Sequence, residues 1–391
     1  MGHGLMINYE SNEDCFAKCK HVVSRLVWGD KNAIPNPWIT LAIPTYRRPH
    51  LLRESLESVL NQQHTDFLWD IVIVDNEPDD GKENDTERLV RQINDDRILY
   101  YRNSENIWVG DNFNRCFLLA RGEWVMMLHD DDLLMSNALK TMGFLIHGYD
   151  TGPQSVGAIA ASYVQVEYDP IRDKMKENIS AIDASYAKRP VDMQVYHLTH
   201  TNVEIFAHIG GAAPTNGSTF RRQAVIDVGG FNESHGISGD LMLFYRIENE
   251  YMAYQTLSPI GFYRWGMNSM MNKDSLRRVI QNNFDYREYI YQKNGGNRLW
   301  GKLFRSCHYL RFSRDAIGER VKISGETISL DDFNDVYNKR PNILWYICYE
   351  LLAKGYGKFK NLETKQNARK AIKRIKNYYT EELLEVKVET L

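Results

Sequence analysis

Between about residues 38 and 130 the apolar positions follow two alternating rhythms. Short, nearly unbroken apolar runs at Trp38–Pro44, Trp69–Asp75, Arg97–Arg102 and Glu123–His129 have the length of buried strands. Between them, apolar residues recur three and four apart. Pro49–Gln63 places Leu51, Leu52, Leu56, Val59 and Leu60 on one face, and Glu83–Asn94 and Gly110–Ala120 read as helices too. This alternation predicts an α/β fold, a mostly parallel central sheet with helices on both faces. Residues 1–36 read as a leader with a helical stretch at Cys15–Trp28, ended by Pro35 and Pro37. Past residue 150 the alternation fades. Val156–Tyr168, Asn216–Phe220 and Ser258–Trp265 read as strands, and Gln223–Val228 and Gly239–Glu250 as helices. Asp169–Phe206 is polar and irregular, and is read as an insertion or lid. From about Ser275 the pattern is helical. The expected division is a leader (1–36), an α/β domain (37–272, with halves 37–135 and 136–272) and a helical C-terminal region (273–391).

The charge changes this picture little. Of 391 residues 25% are charged, and the net charge of −3 offers no field for nucleic acid. The five cysteines are scattered, which fits reduced thiols and a cytoplasmic location. The opening residues lack the basic and apolar regions of a secretory signal, and no run approaches the roughly 18 apolar residues of a membrane span. The C-terminal region carries a separate signal. Asn342–Leu352 is apolar, and Lys354–Lys376 holds nine Lys/Arg against one acid. This combination suits peripheral contact with the inner face of a cell membrane; a solvated face packed on the enzyme or on another subunit accounts for it as well.

Candidate chemistry gathers at strand ends, where ligands bind in open parallel sheets. The first strand ends in Thr45 and Tyr46, the second in Asp75 and Asn76, and the fourth in Leu128-His129-Asp130-Asp131-Asp132-Leu133-Leu134. Three adjacent carboxylates repel one another unless a cation joins them. Mg²⁺ or Mn²⁺ commonly bridges such oxygens to substrate phosphates. An acidic turn capping the following helix is the structural alternative.

These residues, in this order, resemble the family 2 glycosyltransferases of the GT-A fold. The resemblance runs from Trp38 to Ser269. It rests on Ile43-Pro44-Thr45-Tyr46-Arg47-Arg48, Val74-Asp75-Asn76, the helix start Gly110–Asn114, the acidic motif and Gly229-Gly230-Phe231-Asn232-Glu233. It implies transfer of a sugar from a nucleotide-diphosphate donor, UDP-linked, to a saccharide or lipid-linked saccharide in polysaccharide assembly, with inversion. Pro44, Thr45 and Tyr46 would border the base. Asp75 would accept a hydrogen bond from it, with Asn76 and Glu77 nearby and Asp111 near the base or ribose. Asp130 would reach the donor, and Asp131 and Asp132 would hold the divalent metal. Arg264 would contact the diphosphate or make an ordinary salt bridge. Asp240 would be the catalytic base, or else a cap of its helix, with Glu233 and then His235 behind it as base.

The chain departs from the family pattern in three places. His129 stands where the first Asp of the motif is usual, and is a metal ligand or a strand-end residue. Gly239 replaces the Glu of the usual Glu-Asp pair. The segment Phe262–Ser269 keeps a Tyr-Arg pair but lacks the His that often follows. Two other functions stay open on these grounds: a degenerate, non-catalytic sugar-binding relative, and a metal-dependent nucleotidyltransferase. The second should show a Gly-rich basic loop after the first strand, where this chain has Thr45-Tyr46-Arg47-Arg48-Pro49.

Overall fold

The structure is a computed structural model. It describes residues 8–11, 13–63, 65–152, 154–169, 174–175, 178–189, 191–199, 215–265, 273–293, 305–314, 317, 329, 332 and 341–376. In chain order it contains α1 (Cys15–Lys18), β1 (Ser24–Trp28), β2 (Ile39–Thr45), α2 (Pro49–Leu60), β3 (Trp69–Asp75), α3 (Asp85–Ile93), β4 (Ile98–Asn103), α4 (Val109–Leu119), β5 (Trp124–Met127), β6 (Leu133–Leu134) and α5 (Ala138–Tyr149). There follow β7 (Val156–Asp169), β8 (Lys174–Met175), α6 (Ile179–Ala187), β9 (Val195–His197), β10 (Thr219–Arg221), α7 (Arg222–Asp227), a 3-10 turn (Glu233–Ser238), α8 (Gly239–Glu250), β11 (Met252–Trp265), α9 (Lys273–Lys293) and α10 (Ile343–Ile375).

One sheet runs β1-β4-β3-β2-β5-β10-β7-β11-β6. Its centre, β4-β3-β2-β5, is parallel throughout, as the strand–helix alternation requires. Outward from β5 the pairings turn antiparallel at β10 and again from β10 to β7. Helices cover both faces. One apolar cluster joins Leu52 and Leu56 of α2, Leu89 of α3 and Leu139 of α5 to Leu41 and Ile71 of the sheet. The other joins Phe117 of α4, Val225 of α7 and Leu243 of α8 to Ala42 and Val72. The residues alternate in the expected way: Leu41 and Ile43 face one side, Ala42 the other. The helix starts are locally encoded. Pro49 opens α2, and the Asn84 side chain accepts from the Glu87 N–H at the start of α3.

Two expectations need correction. Cys15–Trp28 is not one helix: α1 lasts four residues, capped by Asp14, and Ser24–Trp28 is an edge strand antiparallel to β4. Part of the expected leader (1–36) therefore belongs to the sheet. Ser24 and Arg25 favour this, because they pair with Asn103 (Oγ to Oδ1, 2.7 Å) and Asp79. The polar stretch Asp169–Phe206 also contains more order than its pattern suggests, including α6 and β9, the latter paired with β11. Residues 170–173, 176–177, 190 and 200–206 of that stretch, and Gly266–Ser269 of the Tyr-Arg segment, lie outside the described residues. Helix α10 ends inside the main core, where Ala368, Ala371, Ile372 and Ile375 are buried beside α5.

Candidate active site

The carboxyl ends of β2, β3 and β5 open on a cleft of about 750 Å³. Pro44, Thr45, Tyr46, Asn76, His129, Asp130 and Asp131 line it, so the three strand-end motifs do converge. Tyr46 presents its ring at the turn after β2. There Arg47 takes a left-handed φ of 54°, held by an ion pair to Glu77 (2.8 Å) and by a cation–π contact to Tyr46. Asn76 spans to the next loop. Its amide donates to the Ile107 carbonyl (2.7 Å) and accepts from the Ile107 N–H (3.1 Å), which holds Asn106 and Ile107 over the cleft.

The acidic turn is braced from several elements at once. Thr45 donates to Asp130 (2.7 Å), and Arg48 spans Asp130 (2.6 Å) and Asp131 (2.9 Å). The Ser55 hydroxyl lies 2.9 and 2.7 Å from the carbonyls of Asp130 and Asp132, sharing its one proton between them. The pairing of β6 with β11 brings the Arg264 N–H to Asp132 Oδ1 (2.8 Å). Burial pushes the Asp130 carboxyl up to about 6, against the pull of Arg48. Burial also raises Asp132 well above the usual carboxylate range, with Asp131 adding to the rise.

Asp132 Oδ2 is buried and has no hydrogen-bond partner among the described residues. An unsatisfied carboxylate oxygen is costly to bury. Ligand atoms of His129, Asp131 and Asp132 lie within 4.8 Å of one another, and this set fits a divalent cation. Burial lowers the His129 pKa, so the imidazole is neutral and keeps a lone pair for a metal. Its ring stacks on Phe113 at 5.5 Å, and Nε2 lies 3.1 Å from the Thr215 hydroxyl.

Three residues expected at the ligand are not among those that line the cleft. Asp75 is fully buried and receives hydrogen bonds from the Tyr100 hydroxyl (2.8 Å), the Asn84 amide (2.9 Å) and the Glu77 N–H (2.9 Å). Asp111 is buried against α1, with Cys19 and Lys18 as its neighbours. Arg264 is 1% exposed, and its guanidinium reaches Glu54 and the Asp131 carbonyl, supporting the acidic turn from within. In each case a buried charge is stable only with partners, and the partners are protein groups.

Asp240 sits in the first turn of α8, partly buried, and does not line the cleft. Burial raises its carboxyl to about 6; the N–H of Leu241 (2.8 Å) only partly offsets this. The covering comes from α9, whose Tyr286 and Ile290 pack on Met242 and Tyr245. Tyr163 links this region to the acidic turn. Its phenol is raised first by burial and then by the nearby charges of both Asp132 and Asp240. A side chain at Gly239 would meet nothing within 4 Å, so the missing Glu leaves open space. The Gly-Gly-Phe segment positions α8. Gly229 and Gly230 both take positive φ (80° and 74°), and Asn114 clamps Phe231 through its N–H (2.8 Å) and carbonyl (2.9 Å). Glu233 pairs with Lys18, and His235 is fully buried, its pKa lowered to about 4 by burial.

Sequence reasoning missed Arg48, Asn106, Phe113, Thr215 and Tyr263 as neighbours of the site. Arg48 had a readable signal, since three carboxylates at a strand end call for a cation. The others are brought in by loops, by α4 and by β11, over long sequence separations.

Residues 40–182 match the family described as Glycosyl transferase family 2. A Campylobacter jejuni protein named GalNAc(5)-diNAcBac-PP-undecaprenol beta-1,3-glucosyltransferase is 36% identical over 110 residues, 27% of this chain and 33% of that one. An Escherichia coli protein named putative colanic acid biosynthesis glycosyl transferase is 32% identical over 112 residues, 29% of this chain and 38% of that one. The crystal structure of S. aureus TarS 1–349 with UDP-GlcNAc superposes with a TM-score of 0.46 at 14% identity, covering 76% of this chain and 79% of that one. The chain thus spans about a third of the length of these two curated relatives.

Proposed function

We propose, from the premise that this chain belongs to glycosyl transferase family 2 through residues 40–182, that it transfers a glycosyl group from a nucleotide-diphosphate sugar to an acceptor hydroxyl. The observation that carries this reading is the acidic turn whose Asp130 and Asp131 line a cleft of about 750 Å³ at the ends of parallel strands. A nucleoside diphosphate is the ligand this geometry suits. Tyr46 offers a ring face to a base, and Asn76 shapes the wall beside it. Its phosphates need cations, and Arg48, 42% exposed, is the guanidinium that faces the cleft.

His129, Asp131 and Asp132 would hold Mn²⁺ or Mg²⁺. When bound, the ion supplies charge neutralisation for a leaving diphosphate. Asp240 takes the proton of the attacking hydroxyl; the oxygen bonds to the anomeric carbon as the bond to the diphosphate breaks, which inverts that carbon. A carboxyl at about 6 is ionised at neutral pH yet basic enough to accept that proton. Asp75, Asp111 and Arg264 position the site without touching donor.

The finer assignments are a UDP-linked donor, a saccharide or lipid-linked saccharide acceptor, and a cytoplasmic enzyme of surface polysaccharide assembly. The names of the Campylobacter and E. coli relatives support the acceptor class. The open space at Gly239 favours a second reading, a sugar-binding relative without catalysis. Incubation with a panel of nucleotide sugars, Mn²⁺ and water as acceptor separates the two. Slow release of nucleoside diphosphate from one donor supports the transferase; tight donor binding without release supports the second reading.

A further inference from the structure

The core accounts for one face of α10 and leaves the other uncovered. Ala353, Lys360, Thr364, Ala368 and Ala371 are buried at helical spacing, and Ala371 meets Gly148 of α5. On the far side Leu344, Ile347, Leu351, Leu352, Phe359 and Leu362 are between 47% and 69% exposed. With 3.6 residues per turn they share a sector of roughly 140°, centred opposite Ala353 and about 28 Å long. Of the thirteen large apolar side chains that are exposed among the described residues, eight belong to this one helix. Such concentration marks an interaction surface.

The charges identify the partner. Lys358 is exposed within the same face and Lys354 at its edge, and Arg369 and Lys373 continue it towards the end of the helix. The neighbouring acids are already matched, Glu350 by Arg311 (3.3 Å) and Glu363 by Lys360 (3.4 Å). A second copy of the chain would bring lysine against lysine across a two-fold axis. An anionic bilayer accepts both parts of the pattern, apolar side chains at the acyl boundary and lysines at the phosphates. Among the described residues no helix is long and apolar enough to cross a membrane, so α10 would lie in the interface plane.

We infer that the outer face of α10 docks the protein on an anionic lipid surface, with its inner face still packed on the α/β domain. This surface stands on α10 alone and does not depend on the transfer chemistry.

The test is co-sedimentation of the full chain with vesicles of phosphatidylglycerol and phosphatidylcholine, or of phosphatidylcholine alone, with light scattering of the free protein. The wild type should bind the mixed vesicles. Leu351→Glu with Leu362→Glu should weaken binding about tenfold or more at unchanged melting temperature. Lys354→Glu with Lys358→Glu should weaken it similarly and flatten its salt dependence, on the order of tenfold at low salt. Wild type that stays in the supernatant at low salt overturns the inference, as does equal sedimentation of the Leu-to-Glu variant. A dimer that the same variant converts to monomer, with no vesicle binding, assigns the face to a second copy instead.

Discussion

The two acidic elements of this molecule are built in opposite ways. The turn Asp130–Asp132 is braced by Thr45, Arg48, Ser55 and Arg264 from β2, the turn after it, α2 and β11. Asp240 has the N–H of its own neighbour, Leu241, and otherwise a covering of apolar and aromatic residues. Both carboxyls reach about 6 through burial, but Asp130 has a guanidinium at 2.6 Å and Asp240 has no ion pair among the described residues. A charge held among fixed partners suits the binding of another charge. A carboxyl raised by burial alone suits gaining and losing a proton near neutral pH. The contrast predicts that substitutions in the turn damage binding and stability together, whereas substitution of Asp240 separates chemistry from stability.

The largest expected effect is on turnover. Asp240→Asn should lower kcat by roughly 10²–10⁴-fold with donor affinity nearly unchanged. The wild-type rate should fall as pH drops below about 6, where Asp240 becomes protonated. Steady-state kinetics beside donor titration reads both. A rate close to wild type makes Asp240 a helix cap and moves the base to Glu233, which is partly exposed beside Lys18. Next, Asp131→Asn should cost about 10²–10³-fold in activity and also weaken diphosphate binding, the double loss expected of a group that holds charge. Unchanged diphosphate affinity would remove the distinction between the two elements.

The third effect is on folding. Arg264→Met removes the buried guanidinium that reaches the Asp131 carbonyl and Glu54, while the backbone N–H to Asp132 remains, and should cost about 1–3 kcal/mol. Urea denaturation at neutral pH measures it. A loss below about 1 kcal/mol would mean the brace is dispensable.

The smallest effect is also the one with a diagnostic sign. The folded carboxyl of Asp240 is raised from 3.8 to about 6, so the folded state binds this proton more tightly than the unfolded chain. The associated stability is present below pH 3.8 and is lost as pH rises to about 6. Asp240→Asn should therefore melt close to wild type at pH 4 and above it at pH 7 to 8. A variant less stable than wild type at pH 8 would assign Asp240 a structural role.

The same contrast explains what the sequence made legible. The strands β2 to β5 and helices α2 to α4 follow local periodicity, because each is short and buried, with α2 opening on Pro49 and α3 capped by Asn84. That Thr45, Tyr46, Asn76, Asp130 and Asp131 would share one cleft was readable because strand ends in a parallel sheet share one edge. Asp75 and Arg264 were not, because their burial depends on Tyr100 and Asn84 in one case and on Glu54 in the other. The leader was misread because the first residues of Cys15–Trp28 do form a helical turn, while Ser24–Trp28 takes its conformation from pairing with β4. Edge strands depend on such distant partners. The order of α10 follows the same rule, since its inner face is defined by contacts with α5.

The most direct test of the account is a calorimetric titration of wild type and Asp131→Asn with UDP, with and without Mn²⁺. Mn²⁺ should tighten UDP binding by about tenfold or more in the wild type and have little effect in Asp131→Asn. UDP affinity that is equal with metal, without it, and in the variant would contradict the reading of the acidic turn as the diphosphate and metal site.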